Sequence, residues 1–236
     1  MFSINVPILT ASLALASTVI ADCSRAALLS ASTSYLTSQS SGQLQPLLAP
    51  TFTYTENNKT VAFNTSILSQ PLTITHNHTL LDPLTCATFT ELVITDPKSP
   101  YLIGAQTHYT NTSIGSLQIS TIDAVITSPG DWQFNATKSL SLILSENWSP
   151  LPSSLQSSRT ALLAAANAYL DLWGPSNVTA AAANVPWGEP CDRMEGSAYT
   201  GNGTATDRCD VGIPATVQPP NVDRRYVVDE VMGSVI

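Results

Sequence analysis

The first pattern that could support catalysis is an arginine and an aspartate four residues apart near the C-terminus. Residues 224–236 read RRYVVDEVMGSVI; as one strand, this segment would place Arg225 and Asp229 on a valine-rich face. A carboxylate in such an apolar setting can accept a proton from a bound ligand and return it. The alternative is a purely structural Arg–Asp pair.

A second acidic cluster precedes this segment. Glu189, Asp192, Arg193 and Glu195 lie close together in the chain, beside two cysteines. They could form a carboxylate pair oriented by the arginine, or a surface ion-pair network that braces a loop. Glu195 is therefore the third catalytic candidate after Asp229 and Arg225, and Glu56 is its counterpart earlier in the chain.

The few histidines are weak metal candidates. On a strand, His76 and His78 would share one face, with His108 as a conceivable third ligand; the alternative is a polar surface loop. The chain has no G-x-S-x-G, H-E-x-x-H, P-loop or G-x-G-x-x-G motif. We therefore expect neither a cofactor nor a standard secreted hydrolase.

Two nearly identical helices organise the elements that would position these residues. RAALLSASTSYL (25–36) and RTALLAAANAYL (159–170) agree at seven of twelve positions, 134 residues apart. Their apolar residues recur on one helical face, with Ser158 as a predicted N-cap and Gly174 just past the second helix. Such a long period indicates two copies of one unit.

Strand-like segments follow the first helix. They lie at 51–56, 86–95, 101–110, 114–127 and 132–146, with turns at Asp96–Pro100 and Pro129–Gly130. Helices followed by consecutive strands indicate an α+β fold, a curved antiparallel sheet over helices. We predict a first unit at 22–148, a linker at 149–158 and a second unit at 159–236.

Several features indicate a secreted glycoprotein. Residues 1–21 have the apolar run and small-residue end of a cleaved signal peptide, after which no segment is long enough to span a membrane. Eight sequons are present, and Asn147 is set aside because Trp148 and Pro150 surround it. The seven expected glycosylation sites are Asn58, Asn64, Asn77, Asn111, Asn135, Asn177 and Asn202.

Four cysteines remain after signal cleavage, and an even number in a secreted chain indicates disulfides. Three connectivities exist, of which we favour Cys23–Cys86 and Cys191–Cys209; a four-thiolate zinc site is the competing interpretation. With 17 acidic against 9 basic residues and no basic cluster, the chain is not expected to bind nucleic acid.

The block VPWGEPCDRMEGSAYTG, the later RRYVVDEVMG, and the segments YLIGAQ (101–106) and GDWQFNAT (130–137) resemble a family of secreted ascomycete proteins defined by a domain of unknown function. The helix-first α+β unit resembles the nuclear-transport-factor-like (SnoaL-like) cone. Members of the secreted family usually continue beyond the position of Ile236 with further strands, so the resemblance implies that the second unit is incomplete.

Two functions follow as expectations. In the first, a cone-shaped pocket binds an apolar small molecule and cyclises or isomerises it without a cofactor, as SnoaL-like proteins of fungal secondary metabolism would, through Asp229, Arg225 and Glu195. In the second, the protein is non-catalytic and acts at the cell surface or on a host, with filled cones and a glycan-covered exterior.

Overall fold

The computed structural model describes residues 23–112, 116–174, 181–213 and 216–236. The expected signal peptide (1–21) and Asn177 lie outside these residues. The described elements are α1 (Arg25–Ser41), β1 (Leu48–Glu56), β2 (Lys59–Thr60), β3 (His76–Asp82), β4 (Ala87–Ile94), β5 (Tyr101–Asn111), β6 (Leu117–Thr127), α2 (Ala136–Ile143), α3 (Arg159–Leu170), β7 (Met194–Glu195), β8 (Ala198–Tyr199), β9 (Val228–Asp229) and β10 (Ser234–Val235).

Helix α1 has well-defined ends and one buried face. Ser24 caps its N-terminus by accepting a hydrogen bond from the backbone N–H of Ala27, and Gly42 ends it in a left-handed conformation (φ 69°). The buried positions recur at helical spacing: Leu28, Ser32, Tyr35 and Gln39. This face packs against the sheet.

Six strands form one mixed sheet in the order β2-β1-β6-β5-β4-β3, in which only β1 and β6 run parallel. Because side chains alternate along a strand, the sheet has two distinct faces. The inner face meets α1 and carries the main core, including Leu92, Ile103, Ala105, Ile122 and Ala124. We call the opposite side the outer face. Helices and sheet together confirm an α+β fold.

Two sequence-based predictions of secondary structure are wrong. Residues 132–146 were expected to be a strand, but Asn135 accepts a hydrogen bond from the backbone N–H of Lys138 (2.9 Å) and starts helix α2. Residues 224–236 were expected to be a single strand, but they contain the β9–β10 hairpin, which turns through Gly233 at φ 64°. The alternating faces predicted for this segment therefore do not persist along it.

The later part of the chain packs onto the first sheet. No side chain of α3 is buried, and the described strands after α3 form only two-stranded pairs. Val227, which is fully buried, packs with Leu80 and Ala87 of the sheet. The two disulfides are Cys23–Cys86 and Cys191–Cys209, which confirms the favoured connectivity. The division into units at 149–158 stays a prediction.

Each repeated helix begins with an arginine that binds an aspartate of the other copy. Nη1 of Arg25 donates to Oδ1 of Asp229 at 2.6 Å, and Nη1 of Arg159 donates to Oδ1 of Asp82 at 2.7 Å. The Oδ2 atoms of the two aspartates also have equivalent partners. Oδ2 of Asp229 accepts a hydrogen bond from the backbone N–H of Leu81 (2.9 Å), and Oδ2 of Asp82 accepts one from the backbone N–H of Val228 (3.0 Å). The contacts of Asp82 and Asp229 are thus related by a local pseudo-two-fold symmetry.

The buried aspartates should contribute strongly to stability. Replacing Asp229 by Asn removes the ionic partner of Arg25 and is expected to lower the free energy of unfolding by about 3 kcal/mol in urea titrations. Asp210→Asn is the control, because Asp210 pairs with the exposed Arg208 and should lose less than about 1 kcal/mol. Equal losses in both variants would contradict a structural role for the exchanged pairs.

Candidate functional site

Asp229, the main sequence-based candidate, is completely buried and fully engaged. Besides Arg25 and Leu81, its oxygens accept hydrogen bonds from the backbone N–H groups of Val231 and Met232, both at 3.2 Å. It borders an open hollow of about 490 Å³ that Arg25, Asp82 and Arg159 also line. Because four donors occupy its oxygens, the geometry fits the interpretation of a structural Arg–Asp pair, with Arg25 in place of Arg225.

The three candidates Asp229, Arg225 and Glu195 occupy separate ion pairs. Arg225 pairs with Asp123 of β6 and also donates to Oδ1 of Asn58 at 3.2 Å. Glu195 pairs with Arg193 at 2.9 Å, beside the Cys191–Cys209 loop. The structure therefore does not bring these three residues into one site.

His76 and His78 lie on β3 and face away from the inner core. The ring of His78 stacks on Trp148, with centroids 4.1 Å apart, and its Nε2 is buried without a hydrogen-bond partner. Burial lowers the pKa of His78, with the neighbouring His76 as a second cause. Within the described ranges, no three His, Cys, Asp or Glu side chains are grouped to hold a metal ion.

A different hollow lies on the outer face. Its volume is about 370 Å³, and the C-terminal residues Arg225 and Ile236 form one of its walls. Strands β4, β5 and β6 form its floor. We call it the outer-face hollow; its outward-facing sheet residues are Phe89, Glu91, Leu102, Gly104, Gln106, Asp123, Val125 and Thr127.

Gly104 gives the floor of this hollow its shape. A Cβ atom on Gly104 would lie 3.0 and 3.1 Å from two ring atoms of Phe89 on the neighbouring strand. The aromatic ring therefore occupies the space that a side chain at 104 would need. A larger residue at this position would therefore require the Phe89 ring to shift.

Glu91 is the titratable group with the most unusual environment in this hollow. Burial raises its pKa to about 7, and the negative charge of Glu146 adds to the effect. In the sheet, Glu91 is paired with His78 on one side and Gly104 on the other. A carboxyl group with this pKa exists in both protonation states near neutral pH, which suits it to exchange protons.

Polar contacts attach the C-terminal wall to the sheet. Nε2 of Gln106 donates to the backbone oxygens of Arg225 (3.3 Å) and Ile236 (3.4 Å). Asp123 accepts from Thr55 of β1 and pairs with Arg225. Arg225, predicted as part of the site from the sequence, thus lines a hollow with Glu91 and not with Asp229.

Sequence reasoning missed Glu91 and Gln106. The only available signal was that Glu91 is the one charged residue in ATFTELVI, the sequence of β4. The raised pKa of Glu91 depends partly on Glu146, which follows α2. The sequence analysis predicted a strand over this region, residues 132–146.

The pKa of Glu91 predicts a specific pH dependence of stability. Because the folded pKa lies above the ordinary value of 4.5, the neutral form stabilises the protein below about pH 4.5, and this stabilisation is lost as the pH rises to about 7. The loss is roughly 3 kcal/mol at most. Glu91→Gln should remove it in urea titrations at pH 4 and pH 8, whereas Glu195→Gln, with a side chain 40% exposed, should keep the wild-type difference. If both variants showed the same pH dependence of stability, the raised pKa could not belong to Glu91.

The C-terminal third of the chain resembles a defined protein family. Residues 155–236 match the family model described as "Domain of unknown function (DUF8021)". This is consistent with the expectation of a family defined by a domain of unknown function. A comparison with curated proteins finds none that matches. The family match covers α3, the disulfide loop and the β9–β10 hairpin, and therefore includes Arg225 and Ile236 of the outer-face hollow.

Proposed function

We propose that the outer-face hollow binds a small, mostly apolar molecule and that Glu91 exchanges a proton with it. The observation that carries this proposal is the position of a half-buried carboxyl group, that of Glu91, in an otherwise largely apolar hollow. A volume of about 370 Å³ lies in the range of small-molecule sites. Such sites combine apolar walls with a few polar groups, as Leu102, Val125 and Ile236 do here with Glu91.

The reaction class is a cofactor-free isomerisation or cyclisation, as the SnoaL-like resemblance implies. The ionised Glu91 takes a proton from a carbon next to a carbonyl group of the ligand. It then returns that proton to another atom of the same ligand, so no oxidant or reductant is needed. The Arg225–Asp123 pair at the far wall orients polar atoms of the ligand.

The proposed setting is extracellular, on a glycosylated surface. Two disulfides agree with an oxidising compartment. The expected glycosylation sites within the described residues are all exposed, namely Asn58, Asn64, Asn77, Asn111, Asn135 and Asn202. Among the described helices, none has the length and apolarity to cross a membrane.

The packed inner face favours a second candidate function. The space between α1 and the sheet is filled by large buried side chains such as Leu28, Tyr35, Tyr54 and Ile103. A filled cone is the arrangement expected of a non-catalytic extracellular protein that acts at the cell surface or on a host. Under this alternative the outer-face hollow is a surface feature without a ligand.

A binding experiment separates the two functions. Val125 is 62% exposed, so Val125→Trp should fill the hollow without disturbing the core. Wild-type protein should bind the neutral apolar dye Nile red and carry a co-purifying small molecule in native mass spectrometry. Both should decrease at least tenfold in Val125→Trp and persist in Val222→Trp, which changes a valine that is 71% exposed outside the hollow.

Glu91→Gln then tests the proton transfer. This variant should still bind the co-purifying molecule but leave it unconverted, because an amide cannot take up the proton. Protein without any bound molecule, and with Nile red binding unchanged in Val125→Trp, would support the non-catalytic function.

A further inference from the structure

A two-residue turn between β1 and β2 carries one of the expected glycosylation sites. Glu56 pairs with Lys59, so two residues form the turn. These are Asn57 and Asn58, with φ angles of 51° and 65°. Both angles lie in the left-handed region, as a type I′ turn requires, and asparagine tolerates this region better than most other residues with side chains. The local sequence therefore determines the backbone conformation at Asn58.

Hydrogen bonds hold this turn against β6, next to the floor of the outer-face hollow. The backbone N–H of Asn57 donates to the backbone oxygen of Ala124 at 2.8 Å. The side chain of Asn57 exchanges two hydrogen bonds with the backbone of Ile126, at 2.8 and 2.9 Å. The residue between Ala124 and Ile126 is Val125, which lines the hollow. The turn is therefore held at the edge of the hollow.

The side chain of Asn58 contacts one wall of the hollow. Oδ1 of Asn58 accepts a hydrogen bond from Nη2 of Arg225 at 3.2 Å, and Arg225 lines the hollow. An N-linked glycan is attached to Nδ2 of asparagine, which leaves Oδ1 free to accept this bond. The contact with Arg225 is thus compatible with a glycan on Asn58, and the first sugar would lie beside this wall.

The other expected glycosylation sites within the described residues are placed differently. Asn135 accepts a hydrogen bond from the backbone N–H of Lys138 as the N-cap of α2. The backbone N–H of Asn202 donates to Asp207. Of the sites that the structure describes, only Asn58 makes a side-chain hydrogen bond to a residue that lines the hollow.

We propose that the N-linked glycan on Asn58 stands at the rim of the outer-face hollow and limits its ligands to free small molecules. A glycan is bulky and hydrated, so it obstructs a protein segment or a polysaccharide but lets a small molecule pass. Arg225 also pairs with Asp123, and these ionised groups offer hydrogen bonds that hold the first sugar at the rim. This inference rests on the ligand site and the glycosylation proposed above.

Thr60→Ala is the variant that removes this glycan. It abolishes the sequon at an exposed residue, while Asn58 and its bond with Arg225 remain. The matched control is Thr137→Ala, which abolishes the sequon of Asn135 at another exposed residue. The proteins are secreted from a eukaryotic host. Glycopeptide mass spectrometry should find Asn58 occupied in the wild type, and thermal unfolding should show that all three proteins are folded.

Carbene footprinting measures access to the hollow without any ligand. A photoactivated diazirine labels exposed side chains, and Val125 is 62% exposed on the polypeptide alone. Labelling of Val125 should rise at least threefold in Thr60→Ala and stay at the wild-type level in Thr137→Ala. Enzymatic removal of all N-glycans from the wild type should give the same rise as Thr60→Ala.

Two forms of Nile red test the limit on ligand size. Free Nile red should bind the wild type and Thr60→Ala with the same affinity, because a small molecule passes beside the glycan. Nile red coupled to dextran should bind Thr60→Ala at least tenfold more tightly than the wild type. Thr137→Ala should resemble the wild type with both forms of the dye.

Three results would overturn the proposal. The first is an unoccupied Asn58 in the secreted wild type. The second is labelling of Val125 that Thr60→Ala leaves unchanged. The third is dextran-coupled dye that binds the wild type as tightly as Thr60→Ala. Increased labelling in Thr60→Ala without binding of either dye would support the position of the glycan and contradict the small-molecule function, so the two proposals fail separately.

Discussion

The architecture depends on two buried carboxylates that each copy of the repeat supplies to the other. Asp82 and Asp229 are almost completely buried, and a buried carboxylate is tolerated only when cations and N–H donors surround it. Burial alone raises the pKa of Asp82, but the hydrogen bonds from Arg159 and the N–H of Val228 outweigh it and hold the pKa below its ordinary value. These donors come from the far part of the chain, so the packing of residues 159–236 against β3 both buries Asp82 and supplies the donors that compensate its burial.

The same packing determines where the outer-face hollow lies. The hydrogen bond between Asp229 and the backbone N–H of Leu81 positions the β9–β10 hairpin against the outer face. Val227, just before this hairpin, packs in a small core with Leu80. Residues 225 and 236 then become a wall opposite the sheet residue Glu91. On the other side, the segment after α2 brings Glu146 close enough to affect the pKa of Glu91 and stacks Trp148 on His78. The raised pKa of Glu91 is thus a consequence of how residues 225–236 and the segment after α2 pack on the outer face of the sheet.

Local sequence was sufficient to predict those elements whose signals lie within a few residues. Helices α1 and α3 have Ser caps and apolar spacing, while β4 and β5 have long runs typical of strands, and all four lie close to where they were predicted. Helix α2 was missed because its Leu140 and Leu142 fit a strand as well as a helix, although Asn135 is a typical N-cap residue. The partner of Asp229 could not be predicted, since Leu81–Asp82 and Val228–Asp229 are too short to be recognised as a repeat. The pKa of Glu91 depends on burial by distant residues, which no single segment of sequence contains.

The two copies of the repeat differ in how their hairpin turns are held. In the first copy, Cys23 directly precedes the N-cap of α1, and Cys86 is the residue of the β3–β4 hairpin with a positive φ. The Cys23–Cys86 disulfide links these two positions. The corresponding residues of the second copy are Ser157 and Gly233, so no covalent link exists there and glycine supplies the left-handed conformation without steric strain. Because α3 also buries no side chain completely, the second copy is held mainly by Arg159, Asp229 and the contacts of the hairpin. Local opening should therefore begin in the second copy, and because Arg225 and Ile236 form one wall of the outer-face hollow, this opening would also widen the hollow.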